Sequence, residues 1–148
     1  MIVAMTVLLL LMAITLAGYS KYNDKQKVKQ ASLTLKSDLR LARTNAVSGK
    51  KPDAVACTGT LIGYVVTFTS TTYTVTPRCS NALVVDDHVT VTLPDGVFFK
   101  TIPSSFTYLP LTQGVSTPPT NIIMTDGSSD GKNDMTLILD AQTGEVSN

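Results

Sequence analysis

The chain has 148 residues, a formal net charge of +1, 43% hydrophobic residues, one His, two Cys and no Trp. His88, Cys57 and Cys79 are too few ligands for a closed tetrahedral metal centre. A lone His among scattered Ser residues also makes no catalytic triad. The near-neutral total hides a polarity. Residues 21–51 carry nine Lys/Arg against two Asp, or +7, whereas residues 52–148 carry three basic side chains against nine acidic ones, or −6. A head of that sign disfavours nucleic acid as a partner.

From Met1 to Tyr19 there is no charged residue, and Val7, Leu8, Leu9, Leu10, Leu11 and Ile14 form its most apolar part. Residues 1–20 are long enough, as a helix, to cross the roughly 30 Å of a bilayer core. The alternative reading, a signal peptide, has no basic region ahead of the apolar run. From Lys21 the character becomes amphipathic: Val28, Ala31, Leu35, Leu39, Ala42 and Ala46 recur at three-to-four spacing among charged residues. Such a stripe needs a surface to cover it. Gly49, followed by Lys50, Lys51 and Pro52, ends the helix. The Lys residues between Lys21 and Lys29 read either as a positive-inside flank of a membrane span or as a basic stalk that answers acidic heads of neighbouring subunits.

Beyond Gly49, about a hundred residues suffice for one small domain. Asp53 to Ala56 reads as a linker. Leu61–Phe68, Thr72–Thr76, Leu83–Val85, His88–Leu93, Val97–Lys100, Ser105–Leu109, Asn121–Met124 and Met135–Asp140 read as strands, with Gly144–Val146 closing the chain. Pro110 to Pro119 reads as loop. The fold class is therefore α+β: a long N-terminal helix, hydrophobic half plus amphipathic half, packed on an antiparallel β-sheet head. Three units follow: 1–20, 21–49 and 50–148. In an exported head the even cysteine count points to one bridge, Cys57 to Cys79.

One stretch has the spacing of a metal loop. Asp126, Ser128, Asp130 and Gly131 match the first half of a calcium loop, and Asp134 stands where a later ligand would fall. Leu137 replaces the bidentate Glu, Lys132 adds a positive charge, and a hairpin turn accounts for the same letters. Both readings stay open, and calcium is the one cofactor the sequence suggests. Neither a Gly-rich phosphate loop nor a HExxH or GxSxG motif occurs, so no enzymatic activity is expected.

The apolar start running into Tyr19-Ser20-Lys21-Tyr22-Asn23, the segment Leu39-Arg40-Leu41-Ala42-Arg43 through Gly49, and the final Thr143-Gly144-Glu145-Val146 together resemble type IV pilin-like proteins. Within them the chain is most similar to the GspH/FimT-type minor pilin and pseudopilin branch. The resemblance is strong over residues 1–49 and weak over the head. It implies a structural subunit of a type IV pilus-like or type II secretion-like filament. Such a subunit is held in the cytoplasmic membrane by one span and then packed by its N-terminal helix against other copies or other pilin-like subunits. The implied partners are an inner-membrane assembly machinery and a prepilin peptidase, and the implied final location is an extracellular or periplasmic filament. The peptidase motif of that family is not in this sequence. The resemblance implies either that it lies, with an acidic assembly residue, upstream of Met1, or that the subunit does without that carboxylate, as some tip pseudopilins do. Two other readings remain: a tip subunit binding DNA or another ligand, and a membrane-anchored β-domain that does not polymerise.

Overall fold

The computed structural model describes residues 2–52, 57, 59–80, 88–111, 114–119, 121–128 and 131–147, with side chains described from Tyr22 onward. One helix and nine short strands make up the described chain. Helix α1 is assigned over Ile2–Val47. The strands are β1 (Leu61–Phe68), β2 (Thr72–Cys79), β3 (Val89–Thr92), β4 (Phe98–Phe99), β5 (Phe106–Tyr108), β6 (Val115–Ser116), β7 (Ile122–Thr125), β8 (Met135–Leu139) and β9 (Val146–Ser147). The architecture is a helix laid on antiparallel sheets.

The strands form two sheets, in the orders β3-β2-β1-β5-β6 and β4-β7-β8-β9. Residues 22–47 of α1 pack across both, touching β1 and β5 of one and β7, β8 and β9 of the other. The reason lies in the apolar stripe. Val28, Leu35, Leu39 and Ala46 are fully buried, with Ala31 and Ala42 nearly so. They meet Tyr64, Val66, Tyr73, Phe106 and Tyr108 from the first sheet and Phe99, Ile122, Met124, Leu137, Leu139 and Val146 from the second. The two alanines let the helix approach closely where bulkier side chains of the sheets project. Phe68 of β1 stands edge-on to Phe99 of β4, with centroids 5.3 Å apart, and so joins the two sheets beneath the helix.

The helix stops as its letters require. Gly49 takes φ +64°, its N–H donates to the Ala46 carbonyl, and the Lys50 N–H donates to the Asn45 carbonyl, each at 3.0 Å. This pair of bonds satisfies carbonyls left open at the helix end. Pro94-Asp95-Gly96-Val97 likewise closes as a turn, with the Val97 N–H donating to the Pro94 carbonyl at 2.9 Å and Gly96 at φ +85°.

Two readings of the head need correction. Strand β2 does not end before Pro77 but runs through it to Cys79, with Pro77 opposite Tyr64. Proline is tolerated because β3 pairs only with Thr72–Val75, so the missing N–H of Pro77 falls outside that ladder. Within the stretch read as loop, Val115–Ser116 is a strand paired with Thr107–Tyr108. Two residues are too short to show alternation. The strand expected over Leu83–Val85 and the linker over 53–56 lie outside the described residues.

On the first sheet the face away from the helix is rich in threonine, with the Thr74 and Thr90 hydroxyls 3.1 Å apart across β2 and β3. Such residues suit a pleated, wet surface. Cys57 and Cys79 are bonded, with Cα atoms 5.6 Å apart, which ties the chain leaving the helix to the end of β2. Among the described residues no helix is long and apolar enough to cross a membrane. The spanning segment expected over residues 1–20, with Val7, Leu8, Leu9, Leu10, Leu11 and Ile14, falls where side chains are not described.

Candidate interaction surface

Helix α1 turns two different faces to its surroundings. Its inner face is fixed by polar ties as well as by packing. The Tyr73 hydroxyl donates to Asp38 Oδ2 at 2.5 Å, and the Tyr64 hydroxyl donates to the Lys50 carbonyl at 2.8 Å. From the helix side, Arg43 Nε donates to the Thr143 carbonyl at 2.7 Å. Alternation along β1 and β2 points both tyrosines inward, and their length carries the hydroxyls past the apolar stripe to the helix flanks. These ties hold the helix in one rotational setting on the head.

That setting decides what faces outward. Lys25, Lys29, Lys36 and Arg40 recur at intervals of four, seven and four, so they form one stripe about 22 Å long at 1.5 Å per residue. Lys25, Lys29 and Arg40 are exposed and Lys36 is half-buried. Tyr22, Leu33 and Leu41 are also exposed, at 63%, 51% and 60%. These three apolar side chains are spaced singly along the helix, so they add some apolar area beside the charges without forming one contiguous patch. The helix's two acids are both used elsewhere. Asp38 receives Tyr73, and Asp24 pairs with Lys27 at 3.4 Å. Lys25, Lys29 and Arg40 thus present positive charge at the helix surface.

Burial raises the Tyr73 pKa far above its ordinary value of 10.0, with the hydrogen bond to Asp38 and that carboxylate's charge adding to the effect. The native protein thus holds a proton that the unfolded chain releases above about pH 10. Tyr73's contribution is complete below that pH and is lost as the pH rises toward the native pKa, at about 1.4 kcal/mol per pH unit. We expect Tyr73→Phe to flatten the alkaline fall of stability by one proton. Urea midpoints across about pH 9–11 read this directly. An unchanged slope would mean that Tyr73 ionises freely in the folded state.

On the reading of a basic stalk that answers neighbouring heads, Asp86, Asp87 and Asp95 are the acids of the head expected to meet it. Asp95 borders a cleft shared with Asp24, Lys27 and Asp126 of its own chain. Asp86 and Asp87 lie outside the described residues.

The calcium reading fares poorly on geometry. Asp126 Oδ1 accepts the Ser128 N–H at 2.9 Å and its Oδ2 accepts the Asn133 amide at 2.6 Å. The Ser128 N–H is the main cause of Asp126's lowered pKa. Asp134 Oδ2 accepts Lys100 Nζ at 2.6 Å, and that bond holds the Asp134 carboxyl below its usual range. Asp134 Oδ1 and Ser128 Oγ are buried with no hydrogen-bond partner among the described residues. Asp130 lies outside those residues, and Leu137 is buried in the core. Among the described residues no group of three or more His, Cys, Asp or Glu could hold a metal ion. The Lys100 ammonium occupies Asp134 Oδ2, and donors of the turn itself hold both oxygens of Asp126.

The class defined by the described residues is an α+β fold: one helix held along its inner face on antiparallel sheets, with Lys25, Lys29 and Arg40 exposed on its outer surface. No protein-family model, curated protein or solved structure matches the chain.

Proposed function

We propose that the chain is a non-catalytic, pilin-like structural subunit that enters a filament through its N-terminal helix. The GspH/FimT-type resemblance over residues 1–49 motivates this reading. The observation that carries it is continuity. The helix assigned over Ile2–Val47 supports a reading in which the uncharged stretch and the covered stripe form one rod. Among the described residues the head covers the stripe from Val28 to Ala46. In that reading the apolar part ahead of it finds its partner in other copies of the chain.

On this reading the subunit waits in the cytoplasmic membrane and leaves it by exchanging lipid for neighbouring helices. Burying each Leu or Ile is worth about 1.5–3 kcal/mol, so the segment moves only between apolar settings. Val7, Leu8, Leu9, Leu10, Leu11 and Ile14 form the contact core. The basic run from Lys21 to Lys29 then lies just outside that core, where like charges crowd unless acidic groups of neighbouring heads answer them. We expect reversal of Lys25 and Lys29 to Glu to impair assembly while circular dichroism of the head stays as in the parent. Filament yield from sheared surface fractions measures this. A normal yield from the doubly reversed subunit would remove the electrostatic part of the proposal and leave the helical core standing.

A further inference from the structure

A cleft of about 160 Å³ opens where the C-terminal end of α1 meets the turns before β6 and before β9, and Arg43, Val47, Tyr108, Gly114 and Thr143 line it. The Tyr108 hydroxyl is buried and has no hydrogen-bond partner among the described residues, in a side chain only 1% exposed. Buried hydroxyls are nearly always paired, so an orphan facing a cleft points to something absent. The ring cannot turn away to find another partner. Phe106 stands edge-on to it at 5.4 Å. On the other side Gly144, at φ +69°, comes so close that a Cβ there would lie 3.0 Å from the ring.

The chemistry of the walls selects the occupant. Burial raises the Tyr108 pKa, against an opposing effect of the Arg43 charge, so the hydroxyl keeps its proton. It is a donor in search of an acceptor. Arg43 brings a second set of donors. Its Nε–H is spent on the Thr143 carbonyl, which fixes the guanidinium plane and leaves four further N–H groups on a fork suited to two oxygens. Asp140 is the negative group nearby, and its Oδ1 is taken by the Thr143 N–H, the Thr143 hydroxyl and the Gln142 N–H at 2.6, 2.9 and 3.0 Å. The donors of its own turn are the main support of its charge, and Arg43 adds a smaller one. Two converging donor groups, one of them cationic, call for an anionic acceptor with paired oxygens. Val47 on the wall suits a short aliphatic stem. A cavity near 150 Å³ holds a benzene-sized guest, so a sugar or a nucleotide is too large.

We propose that this cleft binds a carboxylate on a short stem, either a free small acid or an Asp or Glu side chain of another protein chain. The site is independent of the filament reading.

The test uses the full chain, titrated with sodium acetate and, separately, with a blocked glutamate amide, at ionic strength held constant with sodium chloride. Amide shifts of Thr143 and Gly144 report occupancy. Saturable binding of acetate supports a free acid. Saturation by the blocked glutamate without acetate binding supports a protein carboxylate. In either case Tyr108→Phe and Arg43→Gln should each weaken binding at least about tenfold, as loss of a hydrogen bond to a charged group requires. Tyr108→Phe keeps the ring and removes an unpaired hydroxyl, so its fold survives the change. Binding of neither probe overturns the proposal. So does equal competition by chloride, or unchanged affinity in Tyr108→Phe.

Discussion

Leu39→Ala is expected to destabilise the head by about 2–5 kcal/mol. Leu39 is fully buried, and it sits at the middle of the stripe that meets both sheets. Truncation removes three carbons of apolar contact. The ties from Tyr73 to Asp38 and from Tyr64 to Lys50 hold the helix on either side of the gap, so the wall cannot collapse inward. The effect belongs near the upper end of that range. A domain of this size has only about 5–15 kcal/mol in hand, so the variant should unfold at visibly lower urea, with an unchanged slope. An unmoved midpoint would show that the helix does not contribute to the head's core.

Gly63→Ala should cost a comparable amount, about 2–4 kcal/mol, for a different reason. Gly63 lies at a register shift in β1, between the Leu61 and Gly63 pairings to β2. Its φ is +152°, and a Cβ built on it would lie 2.8 Å from the Thr107 methyl and collide with the Tyr108 carbonyl oxygen. That oxygen belongs to the backbone of the neighbouring strand and cannot move without breaking the β1–β5 ladder. The substitution must therefore displace β5, and Phe106 and Tyr108 with it. Thermal unfolding with near-ultraviolet dichroism checks both parts: a lower midpoint and an altered tyrosine environment. A variant with parental stability and spectrum would show that β5 does not approach Gly63 this closely.

These two positions show what the sequence made legible and what it did not. Leu39 could be assigned to a covered face from spacing alone, because Val28, Ala31, Leu35, Leu39, Ala42 and Ala46 repeat with the helical period and nothing else explains them. Gly63 reads only as a weak spot inside a β-branched run. The letter shows that a close approach is permitted but not which backbone approaches. The same limit applies across the sheets. Alternation places Tyr64, Tyr73 and Tyr108 inward, yet their partners on the helix depend on strand order, which local pattern does not determine. Arg43 shows this best. On the helix it looks like one more solvated cation, and only the fold brings the turn at Thr143, a hundred residues later, beneath it. The spacing of Asp126 to Asp134 fits either calcium ligands or a hairpin turn, and it gives no sign that Lys100, remote in sequence, lies against Asp134.

The proposed role rests on the first half of the helix, and one substitution there tests it most directly. Leu10→Lys places a charge in the middle of the stretch that neighbouring helices would have to cover, at a site far from the stripe that the head grips. In cells carrying a pilus-type assembly machinery and expressing the chain from its natural gene, the parent subunit should be recovered in sheared surface filaments. The Leu10→Lys subunit should be missing from them, although its head folds with the parental urea midpoint. Recovery of the Leu10→Lys subunit at the parent's yield would contradict a filament core made of these helices.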